Sequence, residues 1–143
     1  MSYASAPAPK PRSVLIIEDD EHDAFLLKRA LNTVASQANM PLRIKRLANG
    51  LETLGAVARH DLKSDLFGVV IVDLNMPVMD GVKFLHLLRE EFKFENLRAV
   101  VLTTSDEAPV RDAARQAGAD DVFVKPSTLS ELVDVVRAIL GAD

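Results

Sequence analysis

The chain has 143 residues, of which 48% are hydrophobic and 27% are charged, a composition typical of one globular domain. Its net charge of −4 argues against binding of nucleic acid or of an anionic membrane surface by bulk electrostatic attraction. The absence of cysteine excludes disulfides, thiolate metal sites and thiol catalysis, and it fits the reducing conditions of the cytoplasm, where we expect the protein to act.

The N-terminal segment, residues 1–12, alternates alanine and proline with serine. Such a segment buries too little apolar surface to offset the entropy of ordering, so we predict a disordered tail. It lacks the apolar core of a signal peptide, and no apolar run elsewhere approaches the ~18 residues of a membrane-spanning helix. No repeat or linker divides the remainder, which predicts one folded domain over 13–143.

The domain begins with an uninterrupted apolar run at 14–17, which predicts a strand buried on both faces of a sheet. Over 22–36 the apolar residues recur at three- and four-residue spacing, so a helix follows this strand. Residues 42–47 alternate apolar and basic side chains. This alternation is typical of an edge strand, where basic residues discourage pairing with another chain.

A second helix is predicted over 50–59, with Leu51, Leu54 and Ala58 facing the core. Residues 66–72 then form another continuous apolar run, which predicts a second doubly buried strand.

The second half of the chain continues this alternation. A helix over 82–94 precedes a strand over 99–102, and a helix over 106–117 precedes a strand over 122–124. Strands and helices in strict alternation predict an α/β fold with a parallel sheet, helices on both faces and right-handed crossovers.

A last helix, capped by Ser127 or Thr128, is predicted to run to about residue 140. Its inward stripe comprises Leu129, Leu132, Val133, Val136 and Leu140. Val135 and Ile139 lie four residues apart on the flank of this stripe. They either widen the core-facing stripe or form a surface patch for a homodimer or another partner.

Polar residues suited to chemistry follow the predicted strands at their carboxyl ends, which form the binding edge of a doubly wound sheet. They are, in chain order, Glu18, Asp19, Asp20, Asp73, Thr103 and Lys125. The second strand contributes no comparable group. Each of these residues alone would be an ordinary cap or turn residue, but four groups at one edge favour a site.

The acids Glu18, Asp19 and Asp73 need a positive partner, because two carboxylates ~5 Å apart repel by roughly 3 kcal/mol at an effective dielectric constant of about 20. Oxygen ligands without histidine or cysteine select a hard cation, of which Mg²⁺ is the natural choice. With Lys125 as a second positive group, the set suits an aspartyl phosphate on Asp73, hydrogen-bonded by the Thr103 hydroxyl. No nucleotide-binding loop is present, so the phosphoryl donor comes from outside.

These residues, with the run DLNMPVMDG at 73–81 and Lys125-Pro126, resemble the receiver domain of two-component response regulators. The resemblance covers about 13–140 and implies a flavodoxin-like, doubly wound five-stranded parallel sheet in the order 2-1-3-4-5 with five helices. The stretch between the acid pair and Asp73 is longer than in compact receivers. This length, with LTTSDE after the fourth strand, is similar to the small stand-alone regulators that partner bacterial phytochromes.

The resemblance implies that Asp73 accepts a phosphoryl group from a phosphohistidine of a sensor histidine kinase. It also implies a set of protein ligands for Mg²⁺. Asp19 would bind the ion directly, Glu18 largely through water, and Asn75 through its backbone carbonyl.

The resemblance further implies that Thr103 shifts toward the phosphoryl group on activation and that Lys125 pairs with it. Pro77 and Gly81 would shape the loop behind the phosphoacceptor. The resemblance also implies a cis peptide bond between Lys125 and Pro126.

Three features depart from the usual receiver pattern. Asp20 stands one place beyond the acid pair, and we interpret it as the N-cap of the first helix rather than as a metal ligand. Val122 stands where many receivers carry tyrosine or phenylalanine, and strand alternation points Phe123 to the opposite face.

We expect no output domain after Asp143, so the signal would leave by protein contact or by transfer of the phosphate to a phosphotransfer protein.

Three alternative functions compete with the phosphoacceptor. A non-phosphorylated receiver used for docking or dimerisation stays open because of Val122. A phosphatase of the haloacid dehalogenase type would need an acid where Asn75 stands. Flavin binding on the same fold is disfavoured, because the acids after the first strand would repel its phosphate.

Overall fold

The computed structural model describes residues 12–58, 68–74, 80–91, 94 and 97–141. Strands and helices alternate through this part of the chain. The strands are β1 (Arg12–Ile17), β2 (Leu42–Leu47), β3 (Val69–Asp73), β4 (Arg98–Thr103) and β5 (Asp121–Val124). The helices are α1 (Glu21–Gln37), α2 (Gly50–Ala58), α3 (Gly81–Glu90), α4 (Ala108–Ala117) and α5 (Leu129–Leu140).

These strands form one parallel sheet in the order β2-β1-β3-β4-β5. The order confirms the predicted flavodoxin-like, doubly wound α/β fold. Ile17 of β1 lies opposite Val72 of β3, and Asp73 lies opposite Leu102 of β4. Because the strands run in one direction and end in register, their carboxyl ends meet at one edge of the sheet.

The apolar strands divide their side chains between two cores. In β1, Leu15 and Ile17 pack with α2, α3 and α4, whereas Val14 and Ile16 pack with α1 and α5. All four side chains are buried. Residues of alternating parity point to opposite faces of a strand, so an apolar run with no polar gap must have helices on both sides.

The predicted inward face of α2 is wrong at Leu51, which is 55% exposed. The helix buries Leu54, as predicted, and also Thr53 and Ala56. A Cβ at Gly50 would lie 3.0 Å from the Phe84 ring, so this glycine allows the helix to pack closely against α3. The Thr53 hydroxyl can be buried because it donates to the Asn49 carbonyl at 3.0 Å. The side chain of Ala58 lies outside the described residues.

Of the two interpretations of Val135 and Ile139, the structure supports the wider core-facing stripe, because the Ile139 side chain is fully buried. The buried stripe comprises Leu132, Val136, Ile139 and Leu140 and faces the same core as α1. Val135 is partly buried against that core. The helix packs against both the sheet and α1, which explains why its apolar stripe is wide.

Helix α3 ends at Glu90, earlier than the predicted end at residue 94. Arg89, in its last turn, donates to the carbonyls of Phe94, Leu97 and Gly118 and pairs with Asp120 at 3.0 Å. These contacts hold the chain that leaves the helix against the loop before β5. The early end therefore reflects a tertiary anchor that helical periodicity does not reveal.

Several local predictions can be judged from the backbone. Thr128 caps α5, since its hydroxyl accepts from Glu131 N at 3.2 Å. The expected cis bond before Pro126 is wrong, because none of the described peptide bonds is cis. The trans form is the intrinsically preferred one for a bond before proline. Among the helices described, none combines the length and the apolar character needed to cross a bilayer.

Candidate functional site

The sheet fixes the backbone of the candidate site, because the hydrogen-bond ladder continues past the ends of the strands. Glu18 N donates to the Leu47 carbonyl at 3.1 Å, and Lys125 N donates to the Thr103 carbonyl at 2.6 Å. Asp73 and Thr103 are themselves the last residues of β3 and β4. The polar groups that the sequence places after different strands are therefore held at one edge.

Three carboxylates converge at this edge. Oxygen atoms of Glu18, Asp19 and Asp73 all lie within 4.8 Å of one another. Glu18 is buried, Asp73 is half-buried and Asp19 is exposed. Burial, reinforced by Asp73 and opposed by Lys125, raises the pKa of Glu18 from 4.5 to about 8. The three carboxylates repel one another, and positive charge placed among them reduces this repulsion.

This donor set fits a hard divalent cation. Glu18 Oε2 is buried and has no hydrogen-bond partner among the residues described. An orphaned buried carboxylate oxygen is costly, and a metal ion would satisfy it. Oxygen-only ligands, several of them carboxylates, are typical of Mg²⁺ sites.

Lys125 reaches the same edge from β5. Its ammonium donates to Glu18 Oε1 at 2.7 Å and to Asp23 Oδ2 at 2.8 Å, and it lies 3.9 Å from Asp73 Oδ2. Burial alone would lower the pKa of Lys125, but the hydrogen bonds to Asp23 and Glu18 and the charge of Asp73 outweigh burial and raise it. The lysine therefore stays charged within the acidic cluster.

Sequence reasoning missed Asp23 as part of this site. An acid in the first turn of a helix is ordinarily explained by the positive charge of the helix N-terminus. The observed N-cap is Asp20, as predicted, since Asp20 Oδ1 accepts from Asp23 N at 2.9 Å. The Asp23 side chain extends from the first turn of α1 toward Lys125. Its position one turn after an acid pair is the only signal that could have found it.

Arg46, on β2, supports this edge through contacts with the backbone, a role that the sequence did not predict. The Arg46 guanidinium donates to the carbonyls of Glu18 at 2.9 Å and Asp19 at 3.2 Å. It thereby ties β2 to the backbone that carries both acids. In the sequence this arginine is indistinguishable from the edge-protecting residues beside it, because both uses need only a basic residue on an edge strand.

The Thr103 side chain is almost fully buried, at 1% exposure. Its hydroxyl oxygen accepts a hydrogen bond from Ser105 N at 3.1 Å. A hydroxyl that accepts one bond still carries a proton to donate. Thr103 can therefore act as a donor toward an anion at this edge.

Gly81 packs directly on the chain that follows the phosphoacceptor candidate. Its N–H donates to the Leu74 carbonyl at 3.0 Å, and a Cβ there would lie 2.9 Å from the Leu74 Cα. Only glycine fits this close approach. Asn75 and Pro77, the other predicted loop and ligand residues, lie outside the described residues.

Val122 and Phe123 face opposite sides of the sheet, as strand alternation predicts. Val122 is buried in the core shared with α3 and α4, whereas Phe123 packs on the side of α1 and α5. Phe123 therefore does not replace an aromatic side chain at the Val122 position.

The sheet order and the acid cluster with its lysine define a doubly wound α/β protein with an acidic site at the carboxyl edge of its sheet. Residues 14–137 match the response regulator receiver domain family, and the chain belongs to that family. It is thus the receiver domain of a two-component response regulator, as the sequence resemblance predicted.

Known relatives place this membership in context. The chain is 33% identical over 128 residues to the transcriptional regulatory protein PrrA of Mycobacterium leprae, covering 89% of this chain and 49% of PrrA. It thus spans about half the length of that relative.

Two solved structures are similar over about nine-tenths of their length. The response regulator RPA3017 in red light signaling of R. palustris is 28% identical with a TM-score of 0.74, covering 90% of each chain. The phosphorylated cyanobacterial phytochrome response regulator RcpA is 22% identical with a TM-score of 0.76, covering 90% of this chain and 91% of RcpA. At that identity the likeness to RcpA shows the fold alone.

Proposed function

We propose that this receiver domain is phosphorylated on Asp73 by a sensor histidine kinase in a Mg²⁺-dependent reaction. The observation that carries the proposal is the meeting of Glu18, Asp19, Asp73 and Lys125 at one edge of the sheet. A half-buried carboxylate flanked by a lysine and by two further acids suits phosphoryl transfer better than general acid–base catalysis.

In the proposed reaction, an Oδ atom of Asp73 attacks the phosphorus of a phosphohistidine on the kinase. The P–O bond forms as the P–N bond breaks, and the imidazole nitrogen keeps the electron pair and takes up a proton. Glu18, Asp19, Asp73 and the Asn75 carbonyl would hold Mg²⁺. When bound, this ion supplies positive charge that offsets the charge of the phosphoryl oxygens.

The remaining site residues would act on the phosphoryl group itself. The Lys125 ammonium supplies a positive charge to one phosphoryl oxygen, and the Thr103 hydroxyl donates to another. Their position at the same edge of the sheet as Asp73 supports these roles. Pro77, Gly81 and Pro126 would keep the neighbouring loops in shape. We propose no catalytic turnover beyond slow loss of the phosphoryl group from Asp73.

Incubation with Mg²⁺ and acetyl phosphate tests this function directly. Intact mass spectrometry is expected to show one added phosphoryl group on the wild type. The Asp73→Asn variant, which replaces the attacking oxygen with a poor nucleophile, should show none. An adduct that persists in this variant would place the acceptor elsewhere, and multiple turnover of the donor without an adduct would favour an enzyme.

We further propose that the phosphoryl donor is a bacterial phytochrome kinase. The similarity to a regulator of red light signaling over 90% of both chains supports this assignment. Transfer from a phosphorylated phytochrome kinase should be faster than transfer from a kinase of an unrelated pathway at equal concentration. Equal rates from both kinases would contradict the assignment.

A second candidate is a receiver that docks to partners without being phosphorylated. Val122 favours it, since the aromatic relay of many receivers has no counterpart there. The absence of any phosphoryl adduct on the wild type would support this candidate. If the protein is phosphorylated, its signal would pass by contact with a downstream protein or by onward transfer to a phosphotransfer protein.

A further inference from the structure

Asp23 has no role in the function proposed above, although it makes one of the two shortest contacts of Lys125. The Lys125 ammonium lies 2.8 Å from Asp23 Oδ2 but 3.9 Å from Asp73 Oδ2. The first distance is that of a charge-assisted hydrogen bond, and the second is too long for one. Lys125 is therefore held nearer to α1 than to the phosphoacceptor candidate.

The two carboxylates that hold Lys125 differ in their surroundings. The Glu18 side chain is 5% exposed, whereas that of Asp23 is 38% exposed. Breaking the bond to Glu18 would leave a buried carboxylate oxygen without its donor, which is costly. Breaking the bond to Asp23 would expose a carboxylate that water can solvate. The contact with Asp23 is therefore the one that Lys125 can give up.

We propose that Asp23 is a positioning residue that holds the Lys125 ammonium back from Asp73 in the unphosphorylated protein. A phosphoryl group on Asp73 draws the ammonium away from Asp23, and the loss of that ion pair lowers the affinity of the site for the phosphoryl group. Asp23 thus weakens the phosphorylated state without touching the reacting atoms. This inference rests on the proposed function of Asp73.

A purely structural role for Asp23, as an acid at the start of a helix, predicts something different. Glu21 lies in the same first turn of α1 and is exposed. If only charge near the helix N-terminus mattered, Glu21→Gln and Asp23→Asn would have the same effect. The ion pair with Lys125 distinguishes Asp23, and Glu21→Gln is the matched control for loss of one negative charge.

Fluoroberyllate, a stable mimic of the phosphoryl group on aspartate, serves as the probe with saturating Mg²⁺. Its affinity can be measured by ¹⁹F NMR titration of the full-length chain. We expect Asp23→Asn to bind the probe about fivefold more tightly than the wild type, the size of one partly exposed ion pair. Glu21→Gln should bind as the wild type does. Asp23→Glu, which restores the charge, should return the affinity toward the wild-type value.

The dependence on Lys125 is tested by repeating Asp23→Asn in a Lys125→Gln background. The gain in affinity should disappear there, because no ammonium remains to be released. Melting temperatures of all variants establish that they are folded. An equal gain in both backgrounds, or no gain in the wild-type background, overturns the inference. If the wild type itself binds no fluoroberyllate, the proposed function fails and the inference falls with it.

Discussion

The guanidinium of Arg46 on the edge strand β2 donates to the backbone carbonyl of Glu18 at 2.9 Å. The same guanidinium reaches the Asp19 carbonyl at 3.2 Å, so one side chain spans the two peptide units that carry the acid pair. The contact is partly buried. It links the outermost strand to the residues that we propose to hold Mg²⁺.

Replacement of Arg46 with glutamine should therefore weaken both the fold and the metal site. We expect a loss of about 1–2 kcal/mol in the free energy of unfolding, because two hydrogen bonds from a charged donor are lost. Mg²⁺ affinity, measured by isothermal titration calorimetry, should fall as the turn loosens. Arg43→Gln is the control, since Arg43 is exposed on the same strand. Equal losses in both variants would show that only edge charge matters.

Binding of Mg²⁺ should depend on pH because Glu18 has a raised pKa of about 8. Below that pH the carboxyl group is largely protonated, and the ion must displace a proton to bind. We expect the apparent Mg²⁺ affinity to rise from pH 6 to pH 9 with release of close to one proton, measured by calorimetry in buffers of different ionisation enthalpy. A Glu18→Gln variant should lose most of this dependence. A flat affinity profile in the wild type would contradict the prediction.

The same shift predicts how the metal-free fold responds to pH. The folded state binds the Glu18 proton more tightly than the unfolded state, in which the pKa is near 4.5. This contribution to stability is fully present below the unfolded value and is lost as pH rises through about 8. Urea denaturation in the presence of a chelator should show that the free energy of unfolding of the wild type declines between these two pKa values, relative to that of Glu18→Gln. A free energy of unfolding that rises with pH relative to this control would contradict the prediction.

Arg89 is predicted to be among the most important polar side chains for stability. Its side chain is 12% exposed, and it holds the carbonyls of Phe94, Leu97 and Gly118 together with Asp120. Arg89→Ala should lower the free energy of unfolding by roughly 2–4 kcal/mol, because several partly buried acceptors lose their donor. Arg115→Ala, on the exposed face of α4, should change it little. Comparable losses in the two variants would refute this role.

Because Ile139 is buried, its replacement should destabilise the fold rather than disrupt an interface with another molecule. Ile139→Ala should cost about 3 kcal/mol of unfolding free energy, as expected for a large side chain removed from a packed core. Val135→Ala, on the partly buried flank, should cost less. Both can be measured by urea denaturation, with light scattering to record the oligomeric state. A dimer that dissociates in Ile139→Ala without loss of stability would contradict the burial.

The sequence by itself determined the order of strands and helices. An uninterrupted apolar run such as that of β1 has no face suited to solvent, so it predicts a strand that is buried on both faces. The sequence also determined which residues reach the carboxyl edge, since Asp73 and Thr103 end their strands and Glu18 and Lys125 directly follow theirs. The parallel arrangement then brings those positions together without further information. Helical periodicity was less decisive, because it misassigned Leu51 and left the placement of Ile139 open.

Only the tertiary structure decided which carboxylates share Lys125 and how Arg46 is used. A long basic side chain can reach several partners, and the choice depends on distances of a few ångströms between elements that are remote in sequence. Packing likewise determined which faces of α2 and α5 point inward. Gly50 of α2 packs against Phe84, and Ile139 of α5 lies in the core that α5 shares with α1. The local sequence pattern shows only whether a residue is apolar or charged, whereas its tertiary contacts determine whether it is buried, paired or exposed.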